Sequence, residues 1–157
     1  MDSYQWGIIL STLVFSAFFS GMEIAFISAN KLKIELDGKQ GDFFAKIISN
    51  FLKRPSRFIG AMLVGNNIAL VIYGFFMGDL LVNWFQSMLP TSYPFLDYLF
   101  TDLSLLSQTI ISTFVILITA EFLPKVFFQI YSNTLIKALA VPAYVFYVLF
   151  TFISDFI

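Results

Sequence analysis

Residues 6–28 read WGIILSTLVFSAFFSGMEIAFIS, and this stretch decides the fold class. One charge, Glu23, interrupts an otherwise uncharged run. An α-helix needs about 20 such residues to cross the roughly 30 Å hydrocarbon core of a bilayer. The reading repeats at residues 58–85 and 103–130, and a fourth apolar stretch covers 138–157.

Composition agrees. Of 157 residues, 59% are hydrophobic, 21 are Phe, and only 12% are charged. An average soluble domain carries about 25% charge, too much polar cover for this chain to supply. Disordered chains are apolar-poor and charge-rich, so disorder is excluded as well. The expectation is an all-α membrane protein whose outer surface faces lipid, one transmembrane domain over residues 1–157. The N-terminus has no basic region and no small-residue cleavage site, so it does not read as a signal peptide.

The absent residues narrow the chemistry. With no Cys and no His, thiolate chemistry, imidazole ligation and histidine-based catalysis are excluded. No enzymatic constellation remains. A net charge of −1 offers no basic field for nucleic acid. Polar chemistry falls to carboxylates, hydroxyls, amides and carbonyls, the ligands of hard cations.

Seven of the nine basic residues lie between the first two spans: Lys31, Lys33, Lys39, Lys46, Lys53, Arg54 and Arg57. Lys125 and Lys137 flank the end of the third, and residues 86–102 hold none. The positive-inside rule makes the first loop cytoplasmic and the N-terminus external. That loop reads as a helical hairpin over about 31–54. Asn30 and Asp42 are the expected caps, Asp37-Gly38 and Gln40-Gly41 the turn, and Phe43, Phe44, Ile47, Ile48, Phe51 and Leu52 the apolar face. Pro55 ends it. The external loop, with Pro90, Tyr93, Pro94 and Tyr98, suits an interfacial connection. Residues 138–157 have two readings, a fourth span with Asp155 near its end or an interfacial helix, with a break expected at Pro142.

The informative residues are polar groups at membrane depth, where an ionisable side chain costs about 2.5–3.5 kcal/mol or more. Thr12, Ser16, Ser20 and Glu23 fall within a stripe of about 80° on one helical face. For Thr12 alone, back-bonding to helix carbonyls is the better reading, and Glu23 could pair with a basic loop residue. Gly65-Asn66-Asn67 puts two amides in the second span, about 100° apart, so that both rarely line one site. Each could be a ligand or interhelical glue. Gly74 and Gly78 form a close-packing GxxxG face. In the third span, Pro124 cannot donate to the carbonyl of Ala120, leaving that oxygen free beside Glu121. A plain Glu121–Lys125 pair at i, i+4 is the alternative. Together these residues suggest an oxygen-lined site for a small cation.

The runs Ser16-Ala17-Phe18-Phe19-Ser20-Gly21-Met22-Glu23, Leu63-Val64-Gly65-Asn66-Asn67 and Glu121-Phe122-Leu123-Pro124-Lys125 resemble the transmembrane domain of the CNNM/CorB/CorC magnesium transporters. The resemblance covers the whole chain. It implies a homodimer with three transmembrane helices per subunit, a short cytoplasmic helix pair, and a juxtamembrane belt helix over about 134–157. The C-terminus would then be cytoplasmic, in a multi-pass protein of the cell membrane. It implies Mg²⁺ transport, generally taken as export, with Na⁺ the coupling ion. The ion would sit among Ser16, Ser20, Asn66 and Glu121, with backbone carbonyls near Gly21 and Gly65. Glu23, Asn67, Ala120, Pro124 and Lys125 are the outlying members. Family members often carry Asn where this chain has Leu70 and Gly where it has Ala120. Full-length members continue into a CBS regulatory module, so the chain reads as an isolated membrane domain. A non-transporting membrane anchor and dimerisation module, or a transporter of another small cation, are the other functional readings.

Overall fold

A computed structural model describes residues 3–89 and 93–156, with the side chains of 154–156 excepted. Pro90 and the side chain of Asp155 thus lie outside the described residues. Helices make up every regular element among those described. Three are long and apolar enough to cross a membrane: α1 (Ser3–Ser28), α4 (Pro55–Met88), and a third span, Ser104–Ile130. The third span consists of α6 (Ser104–Ile116), a π-helical segment (Leu117–Phe122) and α7 (Leu123–Ile130). At 34 residues, α4 is roughly 51 Å long and overshoots a bilayer core of about 30 Å. The short helix α5 (Pro94–Thr101) precedes α6.

Between α1 and α4 lies the expected hairpin, α2 (Lys31–Lys39) and α3 (Phe43–Leu52). Both caps form. Asn30 Oδ1 accepts from the Lys33 amide at 3.1 Å, and Asp42 Oδ1 accepts from Phe44 and Ala45 at 3.0 and 3.2 Å. The turn is shorter than expected. Asp37 and Gly38 stay helical, and the reversal falls on Gln40 and Gly41, with Gly41 at φ 98°. One glycine in the left-handed region reverses the chain without help from its neighbours. The buried face of α3 is also narrower, made of Ala45, Ile48 and Phe51, while Phe43 and Phe44 are exposed.

The fourth apolar stretch is not one straight helix. α8 (Ser132–Ala138) and α9 (Ala140–Phe156) meet at 67°. The break falls at Leu139, ahead of the expected Pro142, which sits in the first turn of α9. That turn tolerates a missing N–H, so Pro starts the helix instead of breaking it. Tyr147 of α9 packs on Phe51 and Phe58, and Phe146 and Phe150 pack on Phe19. Two polar ties hold this end together. The Asn30 amide donates to Asn133 Oδ1 at 2.8 Å, and Lys137 Nζ meets Asp37 at 2.5 Å and Asp42 at 3.1 Å.

Among the described residues, most buried apolar side chains fall into two clusters stacked along the bundle. On the hairpin side are Phe19, Met22, Phe26, Ile34, Ile48, Phe51, Phe58, Met62 and Ile136. Toward the other end are Ile9, Tyr73, Met77, Leu80, Leu81, Phe85, Ile116 and Ala120. Burying one such side chain contributes about 1.5–3 kcal/mol relative to water, though lipid-facing surface gains far less. Large side chains such as Val14, Val71, Phe75, Leu105 and Phe114 remain on the outside, as a lipid-facing surface requires.

Candidate functional site

A polar layer separates the two clusters. Along α1, Ile9 belongs to one cluster and Phe19 to the other, with Ser16 between. Along α4, Met62 and Tyr73 play those parts, with Asn66 between. Both polar side chains are buried: Ser16 is 0% exposed and Asn66 8%. In such surroundings an unpaired polar group costs about 1–3 kcal/mol, so partners are expected.

The partners come from all three spans. Ser16 Oγ donates to Asn66 Oδ1 at 2.5 Å. That bond orients the amide, so Asn66 Nδ2 donates to Glu121 Oε1 at 3.2 Å. The second carboxylate oxygen, Oε2, pairs with Lys125 Nζ at 3.3 Å. The i, i+4 pair weighed from the spacing therefore exists, and the same carboxylate also joins the interhelical chain. Glu121 thus links a buried network to a half-exposed ammonium.

Pro124 shapes this segment. With no N–H at Pro124, the helix loosens into a π turn over Leu117–Phe122, and the Leu123 amide bonds back to Ile118. The Ala120 carbonyl, expected to be free, instead accepts from Ser20 Oγ at 2.8 Å. Ser20 is thus held against the backbone turn carrying Glu121, although a carbonyl keeps a second lone pair.

The other sequence-selected residues divide. Glu23 is half-buried on α1, and its charged neighbours are Lys125 and Glu121 rather than the loop lysines. Asn67 points away and is exposed, as its 100° offset from Asn66 demands. Thr12 back-bonds to the Ile9 carbonyl at 2.7 Å and takes no part. Gly21 and Gly65 admit aromatic rings. A Cβ on Gly21 would meet Phe128 at 2.6 Å, and one on Gly65 would meet Phe19 at 2.7 Å and Phe150 at 2.8 Å. In the GxxxG pair, a Cβ on Gly78 would meet the Gln108 side chain at 3.0 Å, whereas one on Gly74 would meet nothing within 4 Å. Leu70 packs with the second apolar cluster.

Some polar residues escaped the sequence reading. Asp79 on α4 faces Gln5 at 3.5 Å, and the Tyr73 hydroxyl donates to the Ser112 carbonyl at 2.8 Å. A carboxylate inside residues 58–85 was the available signal for Asp79. Nothing in the spacing signals the Tyr73–Ser112 link.

Glu121 also reaches the surface. An open groove of about 530 Å³ runs between Ile24 of α1 and the third span, lined by Leu117, Glu121, Phe122, Lys125, Val126 and Gln129. Among the described residues no three His, Cys, Asp or Glu side chains cluster. Ion binding at this layer would therefore draw on one carboxylate with hydroxyl, amide and carbonyl oxygens, and would leave part of an ion's hydration shell in place.

A multi-pass helical membrane protein with a polar layer joining three spans is the class this architecture defines. The family model described as the Cyclin M transmembrane N-terminal domain (CNNM) matches residues 7–157, and the chain belongs to that family. It is 34% identical over 116 residues to the UPF0053 inner membrane protein YfjD of Escherichia coli, covering 74% of this chain and 24% of that protein. It is 30% identical over 118 residues to a UPF0053 protein of Haemophilus influenzae, covering 75% and 24%. The chain thus spans about a quarter of the length of these curated relatives.

Proposed function

We propose that this domain carries Mg²⁺ across the membrane through the layer formed by Ser16, Ser20, Asn66 and Glu121. Family membership fits a membrane role connected with divalent cations. The observation that carries the reading is the Ser16–Asn66–Glu121 chain of hydrogen bonds, which draws one polar group from each span between two apolar clusters. Polar groups at such depth are costly and normally serve a pathway or a partner. Glu121 supplies the charge, and the neutral oxygens replace water on an ion that dehydrates reluctantly. The apolar clusters on either side are suited to close in turn, which is alternating access.

The remaining elements of the proposal follow the resemblance and the charge pattern. The hairpin, with seven basic residues on and beside it, faces the cytoplasm, and the N-terminus lies outside. Two copies form the unit, transport is export with Na⁺ as the coupling ion, and a longer chain would add a CBS module.

The experiment is Mg²⁺ flux in reconstituted vesicles. Glu121→Ala should abolish flux while the protein stays folded, and wild-type flux in that variant would end the assignment. The competing reading, a non-transporting anchor, draws on the Glu121–Lys125 pair, which neutralises the carboxylate internally. It predicts that Mg²⁺ gives the solubilised domain no thermal protection, whereas a bound ion must stabilise the folded state.

A further inference from the structure

The Glu121–Lys125 pair supports a second step that rests on the transport reading. We propose that Lys125 is a tethered counter-cation that exchanges with the transported ion and sets its apparent affinity. Its ammonium holds Glu121 while the site is empty and moves into the lateral groove when a cation arrives.

Four observations carry this. First, both oxygens of Glu121 are held by internal donors, Oε1 by Asn66 and Oε2 by Lys125. A cation nearing the carboxylate therefore competes with the ammonium for the same negative charge. Second, the Lys125 contact, at 3.3 Å, is longer than the usual 2.7–2.9 Å of a strong charge-assisted bond. Third, the Lys125 side chain is 46% exposed and lines the groove beside Glu121, so its head group has a polar place to go. Glu23 lies in its field and offers a second carboxylate. Fourth, the network tolerates the change. A half-turn of the Asn66 amide points Oδ1 at the ion and Nδ2 at Ser16, whose hydroxyl accepts as readily as it donates. Ser16 and Asn66 stay paired with each other in either arrangement.

Charge decides the exchange. A monovalent ion replacing an ammonium gains nothing in charge, whereas a divalent ion doubles the Coulomb attraction to the same carboxylate. The lysine therefore sets a threshold that a divalent ion, drawn more strongly to the carboxylate, crosses more readily.

The test is a Mg²⁺ titration of the thermal stability of the solubilised full chain, as wild type, Lys125→Gln and Lys125→Arg. The Gln variant should reach half-maximal protection at about 1.4- to fivefold lower Mg²⁺, the range expected on losing a half-exposed ion pair. Half-maximal Na⁺ should fall by a similar factor, because the lysine competes with either ion for one carboxylate. The Arg variant, with a guanidinium that grips carboxylates in a fork, should need more Mg²⁺ than wild type. A Gln variant with unchanged or weaker Mg²⁺ response overturns the exchange alone. A wild type that does not respond overturns the transport reading with it. Should the Gln variant not fold, the Arg variant decides by itself, and equal or tighter binding there refutes the exchange.

Discussion

Replacing Gly65 by Ala tests how the aromatic wedge holds the polar layer. The added Cβ would lie 2.7 Å from Cζ and 2.8 Å from Cε1 of Phe19, and 2.8 Å from Cε2 of Phe150. Carbon atoms pack best at about 3.5–4.0 Å, so the two rings must retreat by roughly an ångström. Neither ring is free to do so. Phe19 is buried and packs edge-on against Phe146 at 5.0 Å, and Phe150 stacks on the same ring at 5.9 Å. Overpacking of this kind costs about 1–3 kcal/mol, offset by about 0.5–1 kcal/mol from the better helix former. Gly60 is the control on the same helix, because a Cβ there meets nothing within 4 Å. Gly60→Ala should therefore be neutral or stabilising by up to about 1 kcal/mol. At about 2–4 °C per kcal/mol for a chain of this length, the net cost of up to about 2.5 kcal/mol should make Gly65→Ala melt up to about 10 °C below wild type in detergent. Adding Phe150→Leu to it should recover part of the loss. If Gly65→Ala melts at or above Gly60→Ala, the close approach of the rings does not shape the helix packing and the reasoning fails.

Two further outcomes are expected. Asp42 has its carboxyl held below the ordinary 3.8, chiefly by the Ala45 amide and then by Lys137, so its contribution is full above that pH and is lost as pH falls through the lower folded value. The Lys137 ammonium is held above the ordinary 10.5, chiefly by its hydrogen bond to Asp37, so its contribution is full below that pH and is lost as pH rises through the higher folded value. Limited proteolysis of the hairpin should accordingly be flat between about pH 5 and 9 and rise only at the extremes, and a midpoint near neutrality would refute this clamp. Tyr73→Phe removes the bond to the Ser112 carbonyl and should cost about 0.6–1.7 kcal/mol of thermal stability, with the half-maximal Mg²⁺ unchanged because the link lies outside the polar layer.

Much of the fold was readable because membrane burial leaves a coarse signal. Three spans and two capped hairpin helices each rest on local composition or on one residue with a fixed conformational demand. The reading failed where two local demands competed. Asp37-Gly38 looked like a turn, but Gly41 alone adopts the left-handed conformation, so helix α2 runs on to Lys39. Pro142 looked like a breaker, but a first-turn proline costs no hydrogen bond.

The site was legible as residue types and not as geometry. The sequence by itself determined that this chain lives in lipid, that it has neither Cys nor His to offer, and that Ser16, Ser20, Asn66 and Glu121 lie at depths where they need partners. Only the tertiary structure decided who those partners are. Spacing along one helix cannot say that Ser20 meets the Ala120 carbonyl, that Asn66 turns its nitrogen toward Glu121, or that Gly65 admits two phenyl rings. Those facts depend on the rotation and height of one helix against another, which are set by packing across the bundle and leave no period in the chain.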